Sequence, residues 1–200
     1  MMFNKIIRYK KLDSTNSLLS NLVRDEKIKD NLVIVADFQT KGRGQIEKKW
    51  YSEENKNLLF SIYIKPDNVS INQKSYFNII TSLAIIYSLK KFIKTSSIEI
   101  KSPNDILVDG RKISGILIET SIFKRKIKSL VIGVGININQ KVFPFKENNP
   151  ISMFQILKHN VDRNLILNLF LEFFSDLFVY FKNKDYDYLD NKYKYYLREF

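Results

Sequence analysis

The sequence predicts an α+β fold, in which a mixed or antiparallel sheet is covered on one face by helices. Stretches rich in Val and Ile lie in mid-chain, and helical periodicities come before, between and after them. Asp109-Gly110 between two apolar runs is a type I′ hairpin signal, which counts against a purely parallel sheet. With 200 residues and 44% hydrophobic side chains, and with no internal repeat or linker, we expect a single domain over residues 1–200.

The first half of the chain predicts one helix and two buried strands. Apolar residues recur at helical spacing between residues 18 and 23, directly after the polar run 13–16, so a helix begins there with a hydroxyl or carboxylate cap. Residues 32–38 and 58–64 have the apolar character of buried strands. The polar stretch between them, residues 39–49, is longer than a plain connection requires.

The second half predicts more strands and two more helices. In mid-chain we expect a helix over residues 76–87, a strand region with its hairpin over 98–119, and a strand over 129–138. After a cap at Asp162, apolar residues from Ile166 to Phe181 form one face of a helix. Residues 182–200 show no clear period, and the sequence predicts no element there.

Composition excludes several kinds of site. The absence of cysteine excludes disulfides, thiolate nucleophiles and Cys-ligated metals. A single histidine, His159, excludes multi-histidine metal sites and argues against a histidine-based catalytic triad. No apolar run approaches the ~18 residues of a membrane span, and the N-terminal segment lacks the features of a secretory signal. We therefore expect a cytoplasmic protein without a membrane partner.

The charge raises an alternative of another function class. The formal net charge is +12, from 33 Lys and Arg against 21 Asp and Glu. A basic nucleic-acid-binding domain is consistent with that charge. However, the cations are spread along the chain and the aromatic residues recur mainly at core spacing. Steering toward an acidic protein partner is another use for the same charge.

The glycines indicate a site built from the middle of the chain. There are 6 in 200 residues, fewer than the ~7% of average proteins, and all lie between Gly42 and Gly135. Gly110 belongs to the predicted hairpin turn. For the others, close approach of a ligand and plain turns or bulges both stay open.

The loop after the first buried strand combines glycine with positive charge. Its residues are Lys41-Gly42-Arg43-Gly44-Gln45, followed by Lys48 and Trp50. Exposed backbone N–H groups together with fixed cations suit a phosphate, and a solvated basic turn is the alternative. The only tryptophan predicts an anchor that pins this loop to the core.

Two polar groups lie at strand ends in the hairpin region. Pro103 makes a sharp corner that presents Asn104 and Asp105, and the Asp105 carboxylate is a candidate ligand for a Mg²⁺ accompanying a nucleotide. A simple turn is the alternative. Lys112 stands at the head of an otherwise apolar strand, where its ammonium can address a phosphate or a carboxylate.

Gly133 and Gly135 interrupt the strand predicted over residues 129–138, just before Asn137. Glycine there allows the backbone to approach a ligand or the strand to approach a helix, and the sequence leaves both interpretations open.

Taken in order, these stretches resemble the catalytic domain of biotin protein ligases over about residues 5–140. The matching motifs are Asp13-Ser14-Thr15-Asn16, Gln39-Thr40-Lys41-Gly42-Arg43-Gly44 with Trp50, Lys101-Ser102-Pro103-Asn104-Asp105, Lys112-Ile113-Ser114-Gly115-Ile116-Leu117-Ile118-Glu119, and Gly133-Val134-Gly135-Ile136-Asn137. The resemblance implies the class II aminoacyl-tRNA synthetase-like fold of the biotin and lipoate ligases. It also implies ATP- and Mg²⁺-dependent biotinylation, through biotinyl-5′-adenylate, of a lysine on the biotin carboxyl carrier domain of a carboxylase.

The resemblance assigns roles to individual residues. Biotin binding falls to Ser14, Thr15, Asn16, Gln39, Gly42, Arg43, Gly44, Lys112 and Gly115. Nucleotide binding falls to Gln45, Lys48, Trp50, Asn104, Asp105 and Asn137, with Asp105 also on the metal side. Lys112 and Arg43 are the expected catalytic cations, because the carboxylate of biotin must approach a negatively charged α-phosphate.

The sequence departs from the family pattern at two positions, and two other functions are considered. Gln45 stands where many relatives carry a second Arg, and Ser102 stands where they usually carry Trp. We expect no N-terminal DNA-binding domain, hence no specific DNA binding, and an absent or truncated C-terminal β-barrel. A homodimer is left open. The nearest rival is a lipoate or octanoate ligase or transferase, and the basic nucleic-acid-binding domain is the second.

Overall fold

The computed structural model describes residues 2–3, 5–45, 48–144 and 149–198. The chain forms two compact units. The first unit contains Met1–Lys74 and Ile116–Gly135, and the second unit contains Ser75–Gly115 and Ile136–Phe200.

Seven strands and five helices make up the described chain. The strands are β1 Ile6–Leu12, β2 Leu32–Gln39, β3 Leu58–Ile64, β4 Ile98–Lys101, β5 Asp105–Val108, β6 Arg111–Phe123 and β7 Lys126–Ile136. The helices are α1 Thr15–Arg24, α2 Lys74–Lys90, α3 Met153–Leu157, α4 Arg163–Lys182 and α5 Tyr186–Tyr196, with a 3₁₀ turn over Ile71–Gln73.

The first unit packs α1 on a mixed sheet. Its strands follow the order β1-β2-β3-β7-β6, with β1 parallel to β2 and β2 antiparallel to β3. Leu19 of α1 packs with Leu32, Ile34, Tyr63 and Val131, all at most 5% exposed. β3 is buried along its whole length, as its continuous apolar sequence predicts.

The second unit contains the predicted hairpin. β4, β5 and the start of β6 pair antiparallel, with an irregularity in register between Ile106 and Leu107. Asp109 and Gly110 have φ of 49° and 73°, the positive values that a type I′ turn requires at both central positions. The predicted hairpin is therefore confirmed.

Aromatic side chains hold the helices of the second unit together. The Phe77 ring on α2 lies 5.0 Å from that of Phe181 on α4, and Tyr76 stacks on Tyr186 of α5 at 4.4 Å. Asp162 caps α4 by accepting from the Asn164 N–H, as predicted. Burial beside Tyr188 and Tyr196 raises the pKa of Tyr87 to about 12.

α4 corrects one expectation. An 18-residue window of this 20-residue helix has a mean hydropathy of 1.4, which meets the length and composition of a membrane span, although the sequence analysis anticipated no such segment. The buried core helix of a soluble protein meets the same criteria. Its ring contacts with Tyr76 and Phe77 of α2 are those of a helix packed in a protein core.

The mixed α+β architecture is thus confirmed, and three elements were not predicted. β1 alternates between exposed and half-buried residues, α3 is a single short turn, and α5 buries only Leu189. None of them carries the apolar run or stripe on which the sequence interpretation depended.

Candidate functional site

An uncharged hydrogen-bonded group, here called the neutral cluster, consists of Thr15, Asn16, Gln39 and Ser61 in the first unit. Gln39 Oε1 accepts from the Thr15 backbone N–H at 2.7 Å and lies 3.0 Å from Thr15 Oγ1. Ser61 Oγ lies 2.7 Å from Thr15 Oγ1 and 2.6 Å from Asn16 Oδ1. Three elements, α1, β2 and β3, are therefore joined by polar side chains that are all neutral.

Helix capping places the α1 members of this cluster. Ser14 is the N-cap, with extended backbone, and its Oγ accepts from the Ser17 N–H at 3.4 Å. Thr15 and Asn16 follow in the first turn, and all three residues are at most 4% exposed. The polar sequence before the apolar stripe of α1 thus both starts the helix and supplies the cluster.

Asn16 extends the cluster to the glycine-rich loop. Its Nδ2 donates to Glu119 Oε2 at 2.9 Å and to the Leu117 carbonyl at 3.3 Å. Arg43 Nη2 donates to both carboxylate oxygens of Glu119, at 2.8 and 2.7 Å. A predicted catalytic cation is therefore held by a carboxylate that is itself bonded to the neutral cluster.

Two glycines of β7 allow this arrangement. A Cβ at Gly133 would overlap the side-chain amide of Asn16, and a Cβ at Gly135 would lie 2.5 Å from the Trp50 ring. Of the two interpretations left open for Gly133, the close approach of strand to helix is the one the structure displays. The Trp50 ring lies against Gly135 and its backbone N–H donates to Gly42, two contacts that suit the predicted anchor of the loop.

Some backbone N–H groups of the glycine-rich loop donate hydrogen bonds within the loop itself. Gly44 N–H donates to the Lys48 carbonyl at 2.6 Å, and Trp50 N–H donates to the Gly42 carbonyl at 3.0 Å. The amide of Gly44, which the sequence interpretation offered to a phosphate, is therefore already bonded. Lys48 is exposed and Gln45 half-buried; residues 46 and 47 lie outside the described chain.

Asp13 holds the start of the loop against α1. Its carboxylate accepts from the Thr40 hydroxyl at 2.5 Å and from Lys41 Nζ at 3.0 Å. The hydrogen bond from Thr40, followed by that from Lys41, lowers the pKa of Asp13 from its ordinary value.

The second unit contains an ion pair at the hairpin. Lys112 Nζ lies 2.7 Å from Asp105 Oδ1, and the two side chains are 19% and 17% exposed. Lys112 pairs with Leu107 across the strands, so Asp105, two residues along β5, is its diagonal neighbour. Gly115 lies opposite Asp105 in the same register.

Backbone hydrogen bonds fix the position of Lys112. Its N–H donates to the Asn149 carbonyl at 3.0 Å, and its carbonyl accepts from Ile151 N–H at 2.9 Å. Asn137, 3% exposed, donates from Nδ2 to the Ile151 carbonyl at 3.1 Å and from its backbone to the Ile113 carbonyl at 2.9 Å. Asn137 therefore braces the strand that carries Lys112.

The predicted residues divide between the two units. The first unit holds Ser14, Thr15, Asn16, Gln39, Gly42, Arg43, Gly44, Gln45, Lys48 and Trp50. The second unit holds Asn104, Asp105, Lys112, Gly115 and Asn137. Sequence reasoning missed Ser61 and gave no role to Glu119. A serine among the aliphatic and aromatic residues of the buried β3 was the available signal for Ser61.

The described residues do not form a site for a resident metal. No group of three or more His, Cys, Asp or Glu in the described part of the chain could hold a metal ion. The Asp105 carboxylate faces an ammonium at 2.7 Å, which a divalent cation would have to displace. A magnesium ion that arrives with ATP and touches Asp105 stays a prediction.

Comparison with known families gives a match over residues 9–137, to the model described as the Biotin/lipoate A/B protein ligase family. The matched range contains all five motifs of the predicted resemblance.

The chain is 31% identical over 147 residues to the bifunctional ligase/repressor BirA of Bacillus subtilis, covering 74% of this chain and 44% of that protein. It is 29% identical over 113 residues to the biotin–[acetyl-CoA-carboxylase] ligase of Mycobacterium tuberculosis, covering 56% of this chain and 41% of that protein. The chain thus spans less than half the length of these curated relatives.

Solved structures share the fold. The biotin protein ligase from Aquifex aeolicus in complex with biotin and ATP superimposes with a TM-score of 0.82 at 28% identity, covering 98% of this chain and 79% of that one. The biotin protein ligase from Leishmania major in complex with biotinyl-5-AMP gives a TM-score of 0.78 at 18% identity, covering 98% and 82%, and supports the fold alone. The predicted fold is therefore confirmed.

Proposed function

Because this chain belongs to the biotin/lipoate A/B protein ligase family, we propose that it joins biotin to ATP as biotinyl-5′-adenylate and then transfers the biotinyl group to a carrier lysine. The relative from Aquifex aeolicus is described with biotin and ATP, and the relative from Mycobacterium tuberculosis is named as a biotin–[acetyl-CoA-carboxylase] ligase. The biotin carboxyl carrier domain of a biotin-dependent carboxylase is the proposed partner, and the cytoplasm the proposed compartment.

The neutral cluster is the observation that carries this proposal. The urea of biotin is uncharged and combines one acceptor oxygen with two N–H donors. Buried hydroxyls and amides satisfy such a group without the desolvation cost of a charged partner. An octanoyl or lipoyl chain has no urea, so buried polar groups would be left unpaired against it. Thr15 and Gln39 therefore favour biotin over the aliphatic rivals.

The ion pair of the second unit suits the nucleotide side of the reaction. An oxygen of the biotin carboxylate attacks the α-phosphorus of ATP, the bond to the β-phosphate oxygen breaks, and pyrophosphate leaves. Two anions must approach each other in that step, so an aimed cation lowers the barrier. Lys112, with its backbone clamped by residues 149–151, is the proposed cation, and Asp105 orients it.

The transfer step needs no nucleophile from this chain. The ε-amine of the carrier lysine attacks the acyl carbon of biotinyl-5′-adenylate, AMP leaves, and the amine gives up a proton. A chain with no cysteine and one histidine is compatible with this chemistry.

Pyrophosphate release and carrier labelling test the proposal. The purified chain is incubated with MgATP and either biotin or octanoate, and then with a carrier domain whose target lysine is intact or replaced by Arg. We expect pyrophosphate with biotin only, and label only on the intact carrier. Turnover with octanoate alone would move the chain to the lipoate side of its family. Salt-sensitive DNA binding without pyrophosphate release would favour the nucleic-acid alternative.

A further inference from the structure

We propose that Ser61 is a positioning residue that fixes the hydroxyl direction of Thr15 and so makes the neutral cluster selective for the urea of biotin. This inference rests on the proposed function and adds a residue that none of the five motifs contains. Ser61 lies in the middle of β3, where it is fully buried and is the only polar side chain between Leu58 and Ile62.

The proton of Ser61 points toward α1, where Asn16 Oδ1 and Thr15 Oγ1 are its acceptors. Asn16 Nδ2 donates to Glu119 and Leu117, so the oxygen of this side-chain amide is the atom that faces Ser61, at 2.6 Å. An amide oxygen only accepts hydrogen bonds. Ser61 must therefore donate to Asn16.

The Thr15 hydroxyl then has one preferred direction as well. Ser61 Oγ is the donor toward Thr15 Oγ1 at 2.7 Å, so the Thr15 hydroxyl does not give its own proton to Ser61. Thr15 Oγ1 donates instead to Gln39 Oε1 at 3.0 Å, the oxygen that also accepts from the Thr15 backbone N–H. The Thr15 proton therefore points to Gln39, and a lone pair of Thr15 is left for a ligand.

The same chain of hydrogen bonds orients Gln39. Because Oε1 faces the Thr15 N–H at 2.7 Å, the Gln39 amide has its Nε2 donor on the other side. The cluster thus offers an acceptor at Thr15 and a donor at Gln39. A urea supplies the matching N–H donor and carbonyl acceptor, whereas a straight-chain acid supplies neither.

Removal of the Ser61 hydroxyl is expected to disturb this order in two ways. The buried Asn16 oxygen loses its donor, and the Thr15 hydroxyl becomes free to turn its proton toward a ligand N–H. An unpaired buried polar group typically weakens an interaction by about 10-fold or more. Ser61→Ala should therefore raise the KM for biotin by about 10-fold, with little change in the KM for ATP.

Pyrophosphate release from Ser61→Ala tests the inference, with Ser88→Ala as the matched control. Ser88 is equally buried, but it belongs to the second unit and its hydroxyl donates to the Ala84 carbonyl within α2. Both variants should lose some thermal stability, and only Ser61→Ala should lose biotin affinity. Desthiobiotin, which keeps the urea, should weaken by the same factor as biotin. Ser61→Cys, which restores a weak donor, should fall between Ser61→Ala and the wild type.

The outcomes separate this inference from the proposed function. An unchanged KM for biotin in Ser61→Ala, beside an active wild type, overturns the role of Ser61 and leaves the function standing. If the wild type binds biotin by calorimetry but releases no pyrophosphate, the ligase function fails, and the dissociation constants of the same variants still decide the role of Ser61. If the wild type binds no biotin, both proposals fail. Should Ser61→Ala not fold, the Ser61→Cys measurement decides.

Discussion

The neutral cluster of the first unit and the Lys112–Asp105 pair of the second unit differ in charge and in burial. The neutral cluster joins three elements with uncharged groups, of which Thr15, Asn16 and Ser61 are almost fully buried and Gln39 is half-buried. The Lys112–Asp105 pair uses full charges on adjacent strands, each side chain with a fraction of its surface in solvent. A directional hydrogen bond discriminates between ligands by donor and acceptor pattern, whereas a charge acts on any anion. Selectivity is therefore expected from the first unit, and rate acceleration from the second.

The different burial of the two sites follows from the energetics of polar groups. A neutral hydroxyl or amide can be buried at little net cost when each hydrogen bond is made. A buried charge costs far more, and its partner must compensate. The structure accordingly completes the hydrogen bonds around Asn16, and it keeps Lys112 and Asp105 at 2.7 Å from each other.

Lys112→Ala should produce the largest effect of these variants. The quantity affected should be the rate of adenylate formation. Removal of one aimed charge typically lowers kcat by ~100-fold or more, so adenylate formation should fall by at least that factor. The KM for biotin should change much less, because the neutral cluster is intact. Initial rates of pyrophosphate release measure both quantities.

Lys192→Ala is the matched control for that variant, since it removes an exposed lysine of α5 in the same unit. It should leave both kinetic constants unchanged. Near-normal adenylate formation in Lys112→Ala would contradict the assignment of ligand selectivity to the first unit and rate acceleration to the second.

Gly133→Ala should have the opposite effect, in that it weakens biotin binding more than it slows the chemical step. A Cβ at this position overlaps the Asn16 amide, so Asn16 must move and release Ser61 and Glu119. We expect about 1–3 kcal/mol of destabilisation from overpacking, and about 10-fold weaker biotin binding from the lost hydrogen-bond order. Denaturant unfolding and calorimetry measure the two effects separately.

Gly110→Ala serves as the comparison for Gly133→Ala. Nothing lies within 4 Å of a Cβ there, but the φ of +73° is unfavourable for alanine. It should cost about 1 kcal/mol of stability and leave biotin binding unchanged. Equal losses of biotin affinity in the two variants would show that the neutral cluster responds to stability alone.

The two regions also differ in how far the sequence could predict them. A type I′ turn at Asp109-Gly110 pairs Leu107 with Lys112, and the two-residue period of a strand places Asp105 on the same face as Leu107. The ion pair therefore follows from local sequence. The partners of Ser61 lie 46 and 45 residues away, and no local pattern encodes that distance.

The same distinction explains which elements were predicted. β2, β3 and α4 bury continuous apolar runs or stripes, and their positions were predicted closely. β1 is parallel to β2 but carries charged residues on its exposed side, and α5 is held through tyrosines that the hydrophobic pattern does not register. The motifs supplied the predicted site residues, and tertiary packing decided which of them touch.

The smallest effect is expected at Asp13, between the loop and α1. Hydrogen bonds from Thr40 and Lys41 hold the folded-state pKa of Asp13 below its ordinary value of 3.8. The carboxylate therefore stabilises the fold above the unfolded-state pKa, and this contribution is lost as the pH falls through the folded-state pKa. Asp13→Asn should be less stable than the wild type near pH 6, and the difference should shrink below pH 3.8 and with added salt. Urea unfolding across that range measures it, with Asp67→Asn as a carboxylate control in the same unit. A difference that stays constant down to the lowest pH would place the stabilisation in the side-chain shape of Asp13 instead of its charge.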